Sequence, residues 1–263
     1  MSSGGTGAGW KSHLTTAIVL IVLFAVWEAS VQVFRVKPVI LPPPSLIWAD
    51  FASSPVWHLE HAWYTLLTTL GGFAVAVVVG VALAVLIVES RLLENSIYAL
   101  IVGMNSVPKV AIAPLFVIWL GTGAQPKIAI AFLIAVFPVV IDTVLGLRSV
   151  PPDIIDLARS LRGSRFDTLW RIRFPTALPS MFAGMKVAIS LSLVGAIVGE
   201  FVSSQRGVGY VILSAQGMFD TPRVFAAIFL LAIIGVLLFW VLAWLERLCL
   251  PWHTSQRVAV GTA

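Results

Sequence analysis

Six stretches of this chain are apolar enough and long enough to cross a bilayer: roughly 14–34, 64–88, 97–120, 127–147, 181–202 and 224–248. A helix needs about 20 predominantly apolar residues to span the hydrocarbon core. Backbone polar groups have no water to bond there, so they must bond within the helix. The pattern therefore predicts an all-α polytopic membrane protein with six transmembrane helices. Composition agrees: 11% of the residues are charged, against about a quarter in a soluble domain. The first stretch lies where a signal peptide would, but its apolar run is long and no small-x-small cleavage site follows it clearly, so it reads as a span.

Basic residues orient these spans. With the N-terminus inside, the cytoplasmic segments hold Lys11, Arg91, Arg148, Arg159, Arg162, Arg165, Arg171, Arg173, Arg247 and Arg257; the opposite side holds Arg35, Lys37, Lys127, Arg206 and Arg223. The two-fold excess predicts both termini in the cytoplasm. The expected layout is a cytoplasmic tail over 1–13, a first span over 14–34, an extracytoplasmic connector over 35–63, a membrane domain over 64–248 and a cytoplasmic tail over 249–263. The connector "VKPVILPPPSLIWADF" is stiffened by proline and suits the membrane surface. "SSQRGVGYVI" offers Gly207 and Gly209 for a turn between spans five and six.

Several functions are excluded early. The net charge of +5 reflects arginine on the cytoplasmic side; with no basic tail or aromatic–basic interleaving, nucleic acid is not an expected partner. One cysteine, Cys249, permits no internal disulfide, and no metal site is expected. His58 and His61 read as a solvated pair. No G-x-x-x-x-G-K-[ST] occurs, so the chain does not bind ATP in the P-loop manner.

The segment "DLARSLRGSRFDTLWRIRFPTALP" (156–179) is the charged exception between spans four and five. Ser149 is placed to cap a helix whose first turn takes Pro151, Pro152 and Asp153. Ile154, Leu157, Ala158 and Leu161 then form one apolar face, with Asp156, Arg159, Ser160 and Arg162 away from it. Gly163 is expected to stop the helix, and Ser164 with Asp167 to cap the next. Pro175 and Pro179 are expected to break the chain before span five. Two readings are open at this point: an amphipathic helix on anionic lipid, or a docking knob for a soluble partner.

The register of this segment resembles the cytoplasmic signature of the membrane subunits of binding-protein-dependent ATP-binding-cassette importers: E-A-A, three residues, G, nine residues, I-x-L-P. Asp156, Leu157 and Ala158 take the E-A-A positions, Arg162 the glycine position with Gly163 one place later, and Ile172, Phe174 and Pro175 the I-x-L-P positions. "VPKVAIAPLFVIWLGTG", "GEFV…GVGYVI" and "LERLCLPWH" are similar to the branch that imports nitrate, sulfonates, taurine and vitamin precursors. The resemblance covers roughly 20–253. It implies a type I importer transmembrane fold in a prokaryotic plasma (inner) membrane and a likeness of partners: two ATPase subunits holding ATP and Mg, a second copy of this chain, and an extracytoplasmic binding protein. This chain itself would hold no cofactor and catalyse nothing. The resemblance also implies coupling helices at about 150–175, with Asp156, Leu157, Ala158, Arg159, Leu161, Arg162, Gly163 and Ser164 at the ATPase seat.

Polar residues within the apolar runs add candidates for the translocation path, because a charge at mid-bilayer costs about 3 kcal/mol or more. Pro108 and Pro114 suggest a broken third span, so Asn105, Ser106 and Lys109 are candidates to line the path, and a lysine suits an anionic solute. The alternative for Lys109 is a structural contact. Asp142 is expected to pair with Arg148, and Lys186 to snorkel or pair. Glu200 either lines a gate or holds the outer loop. Ala188, Ser192, Gly195 and Gly199 place small residues on one face of span five, where another helix can approach closely, within the subunit or across a dimer. An ion-coupled secondary transporter or channel is the competing class; it calls for midplane carboxylates and internal repeats, and neither is evident. An intramembrane enzyme would need paired catalytic residues, and the spans contain none.

Overall fold

The computed structural model describes residues 7–90, Gly103 and 108–251, with side chains from residue 15 onward. Within these limits the chain is helical, without strands: α1 (Gly7–Val33), α2 (Pro44–Ser53), α3 (Pro55–Glu89), α4 (Lys109–Leu120), α5 (Ala124–Arg148), α6 (Pro152–Ser160), α7 (Arg165–Thr168), a π-helical turn (Leu169–Arg173), α8 (Phe174–Val202), α9 (Val208–Gly217) and α10 (Thr221–Cys249). Five stretches among the described residues are long and apolar enough to span a membrane, and α4 is a shorter apolar helix. The expected third span is described from Lys109 onward; its earlier part, with Asn105 and Ser106, lies outside the described residues, as do the tails from residue 252 and before residue 7.

α5 is the central helix, held between α3 and α8. Small residues make this closeness possible. A Cβ added at Gly195 would lie 2.6 Å from the Ala131 Cα, and one at Gly199 would lie 2.9 Å from the Lys127 Cα. Ala188 packs with Ala76, Ala135 and Val139, and the Ser192 hydroxyl donates to the Thr69 carbonyl of α3 at 2.8 Å. The small-residue face of α8 is thus occupied inside the subunit. Behind it, Leu193, Leu230, Ile234 and Leu238 join α8 to α10. Toward the other end, Ile87, Val144, Leu147 and Met181 close α3, α5 and α8 together.

α1 lies at the edge, touching α10 through Phe24 and Trp27 against Phe225 and Phe229. Glu28 of α1 accepts from the Ser45 backbone N–H at 3.0 Å and from its hydroxyl at 2.8 Å. This carboxylate caps the first turn of α2, where free N–H groups favour negative charge. The proline-stiffened connector therefore contains a helix, begun by Pro44 at a position that needs no N–H.

Four local expectations need correction. Ser149 does not cap α6; its hydroxyl donates back to the Gly146 carbonyl of α5 at 2.8 Å, and Pro151 precedes α6. Pro175 and Pro179 do not break the chain. Pro175 follows closely on the π-helical turn, where Arg173 and Phe174 keep helical backbone angles, and the helix continues through Pro179. No ion pair joins Asp142 to Arg148; the Asp142 side chain instead covers Gly184 on α8. His58 is not solvated: it is 1% exposed, with Asp50 and Phe51 of α2 and Trp57 against it.

Candidate functional site: an exposed elbow and a buried clasp

The connection between α5 and α8 is an exposed elbow. No residue of α6 is buried, and its apolar face stays open, with Ile154, Leu157 and Leu161 at 44%, 60% and 74% exposure. Arg159 pairs with Asp156 at 3.0 Å on the helix surface. Exposed pairs of this kind contribute little to stability, so α6 is held by its two ends. It stops in a Schellman turn: the Gly163 N–H donates to the Ala158 carbonyl at 2.9 Å and the Arg162 N–H to the Arg159 carbonyl at 2.9 Å. The residue in the left-handed region is Arg162, with φ 57°, not Gly163. The glycine position of the importer signature thus coincides with the one residue here whose backbone favours glycine. Gly163 matters for space, since a Cβ there would lie 2.9 Å from the Ala158 carbonyl oxygen.

α7 begins with a reciprocal cap. The Ser164 hydroxyl accepts from the Asp167 N–H at 3.0 Å and donates to its carboxylate at 2.5 Å. That bond holds the Asp167 carboxyl below its usual range. Asp156, Leu157, Ala158, Arg159, Leu161, Arg162, Gly163 and Ser164 thus lie together in one projecting turn of chain.

At the other end of the same two helices, the polar groups are buried. Lys127, at the start of α5, is 0% exposed, and its ammonium donates to the carbonyls of Thr122, Gly123 and Ser203. Ser203 is the residue at which α8 ends. A cation is therefore set against the carbonyls where the helix dipole is negative. Glu200, 1% exposed, does the reverse: it accepts from the Gly209 N–H at 2.7 Å and the Thr65 hydroxyl at 2.8 Å. The Val208 N–H donates to the same Thr65 oxygen at 2.8 Å, and the Gly207 N–H donates to His61 Nδ1 at 3.0 Å. These groups serve the N-terminal donors of α9. Gly207 has φ 103°, and a Cβ there would collide with the Glu200 carboxylate. Both oxygens of Glu200 are occupied, one by the Thr65 hydroxyl and one by the Gly209 N–H, in holding the loop between α8 and α9.

A second outer tie lies beside it. Asp50 of α2 meets His58 of α3 and Arg223 of α10, each at 3.1 Å, and Arg223 also meets Asp220 at 3.3 Å. The Arg223 guanidinium lies 5.6 Å from the Trp57 ring centre. Trp57 is half-buried, whereas Trp63, Trp119, Trp240 and Trp244 are exposed. Lys186 pairs with Glu246 of α10. Lys109 is the first residue of α4, half-buried, with its ammonium 5.4 Å from the Phe137 ring centre. It stands apart from Glu200 and Lys127 in the chain of contacts. Sequence reasoning missed Lys127, Thr65, His58, Asp50 and Arg223, whose partners are distant in the chain. Among the described residues, no group of three His, Cys, Asp or Glu side chains is arranged to hold a metal ion.

The chain is similar to known proteins over most of its length. The family model described as binding-protein-dependent transport system inner membrane component matches residues 76–249. The riboflavin transport system permease protein of Chloroflexus aurantiacus is 35% identical over 242 residues, 90% of each chain. The formylaminopyrimidine transport permease protein of Halalkalibacterium halodurans is 31% identical, over 92% of this chain and 97% of its own. The taurine transport system permease protein of Escherichia coli is 29% identical over 93% of each. In fold, the chain is similar to a structure of the MetNI methionine ABC transporter in an inward-facing conformation, with a TM-score of 0.67 and 17% identity over 75% of this chain and 98% of that one.

Proposed function

We propose how force enters this chain, which belongs to the family of binding-protein-dependent transport system inner membrane components and is the multi-pass permease subunit of an ATP-binding-cassette importer for small solutes. It is itself no enzyme; the family works with ATPase and substrate-binding partners. In our reading two copies of the chain enclose the path, both termini are cytoplasmic, and two ATPase subunits holding ATP and Mg dock from that side.

The observation that carries the reading is the elbow. A helix with an open apolar face, no buried residue and a defined stop projects from the junction of α5 and α8. An exposed apolar face of this kind marks a surface for a partner. α5 is 25 residues long, about 37 Å at 1.5 Å per residue, and it is packed along its length on α8. Displacement of the elbow by the ATPase therefore moves both helices together and reaches the outer clasp. Alternating access follows when two copies rock in this way.

The solute is a small molecule or ion such as a sulfonate, taurine, nitrate or a vitamin precursor. Lys109, near the break at Pro108, favours an anionic one and is a candidate for the path, as are Asn105 and Ser106. The seat is tested by copurification. Gly163→Asp, or deletion of residues 156–163, is expected to abolish recovery of the ATPase with the permease while membrane insertion is retained. Undiminished recovery and transport by the deleted protein would remove the elbow from this role.

A further inference from the structure

Between the elbow and the inner end of α3 lies a cleft of about 640 Å³, lined by Val88, Glu89, Arg159, Arg165, Thr168 and Arg173, among others. Three guanidinium groups and one carboxylate border it, so it carries an excess of positive charge. Among the described residues, Arg165 and Arg173 take part in no ion pair. Arg173 is half-buried rather than turned to open water. Arg159 is paired with Asp156, but two further arginines lining one cleft without their own carboxylates mark a site for an anion with several acceptor oxygens.

Depth identifies the anion's source. Trp63, 61% exposed on α3, marks the outer interface of the bilayer. About 20 residues of helix cross the hydrocarbon, which places the inner edge near Leu83 to Val85. Val88 to Ser90 then lie about 5–10 Å beyond it, at 1.5 Å per residue, within the headgroup layer. Aromatic residues mark the same level. Phe166, Trp170 and Phe174 form a ladder with ring centres 6.0 and 5.0 Å apart, and Phe166 and Trp170 are 69% and 48% exposed. Exposed aromatics beside arginine are the signature of a membrane interface. Arg165 and Arg173 border α7 and the π-helical turn, next to this ladder, and their stems are long enough to reach up to phosphate.

We propose that this cleft binds the phosphodiester headgroup of an anionic phospholipid, through Arg165 and Arg173, and so braces the elbow against the inner leaflet. The proposal rests on the cytoplasmic placement of the elbow. Arg159 and Gly163 of the proposed ATPase seat also line the cleft, so the two sites adjoin, and the lipid's own ligands, Arg165 and Arg173, lie outside that seat. A lipid held there fixes the distance between α3 and α7 and sets how far the elbow travels for a given movement of the ATPase.

The test uses the permease purified together with its ATPase. Native mass spectrometry after reconstitution in nanodiscs of mixed phosphatidylcholine and phosphatidylglycerol reads the lipids retained. The wild type is expected to keep phosphatidylglycerol selectively. The Arg165→Gln, Arg173→Gln double variant should bind it on the order of 30-fold more weakly, while Arg165→Lys, Arg173→Lys keeps most of the preference. Arg247→Gln, in the last turn of α10, should change nothing. Equal retention by the wild type and the glutamine variant overturns the proposal. So does displacement of the lipid by inorganic phosphate at millimolar concentration, which would make the cleft a free-phosphate site. Loss of the ATPase from the glutamine variant in lipid-free detergent would assign the arginines to protein contact and also overturn it. Retained ATPase with lost lipid is the expected pair of results, and it leaves the seat on α6 independently testable.

Discussion

The two ends of the α5–α8 pair treat polar groups in opposite ways. At the clasp end, Lys127 and Glu200 are 0% and 1% exposed, and each meets the helix terminus of the sign it needs. At the elbow end, which we propose is cytoplasmic, α6 buries nothing and leaves apolar side chains in the open. A buried charge without partners is costly, so the outer arrangement tolerates little displacement within the subunit. The elbow stores almost no stability and is free to spend its surface on a partner. Rigidity belongs to the buried end, and exposure to the end where we propose that force enters.

Mutation sharpens the contrast. The largest loss of stability is expected from Glu200→Ala, which strands the Gly209 N–H and the Thr65 hydroxyl: about 3 kcal/mol or more, read as a lowered unfolding temperature of the purified permease. Glu200→Gln, which keeps one acceptor oxygen, should lose less. Gly195→Val is next, at about 1–3 kcal/mol from overpacking against Ala131, visible in the same assay. Smaller, and of opposite sign, is Arg162→Gly. Relieving the left-handed residue should stabilise the elbow by about 1 kcal/mol, measured as slower amide exchange across residues 158–163. Leu161→Asp should change stability by no more than about 0.5 kcal/mol and yet remove the ATPase in copurification. If Leu161→Asp unfolds the permease while Glu200→Ala leaves it unaffected, the contrast is reversed.

Much of the fold was legible because apolar runs declare membrane helices without reference to one another. Span four, over 127–147, and span six, over 224–248, correspond to α5 and α10 within a few residues. The small-residue face of α8 was legible for the same reason: the period of a helix fixes which residues share a side. The outer clasp was not. Thr65 and Glu200 are 135 residues apart, and Asp50 and Arg223 are 173 apart, so neither contact leaves a local pattern. The connector hid a different feature: its prolines marked it as stiff, and Pro44 sits where proline starts a helix. The stop of α6 depended on one backbone angle, and Gly163 beside Arg162 drew attention to the wrong residue.

Hydrogen–deuterium exchange of the permease, alone and with its ATPase bound, tests both ends in one measurement. The account predicts strong protection of residues 152–164 on ATPase binding, with residues 200–210 already protected in the free subunit. Unchanged exchange at 152–164 in a complex that still hydrolyses ATP and transports would contradict it.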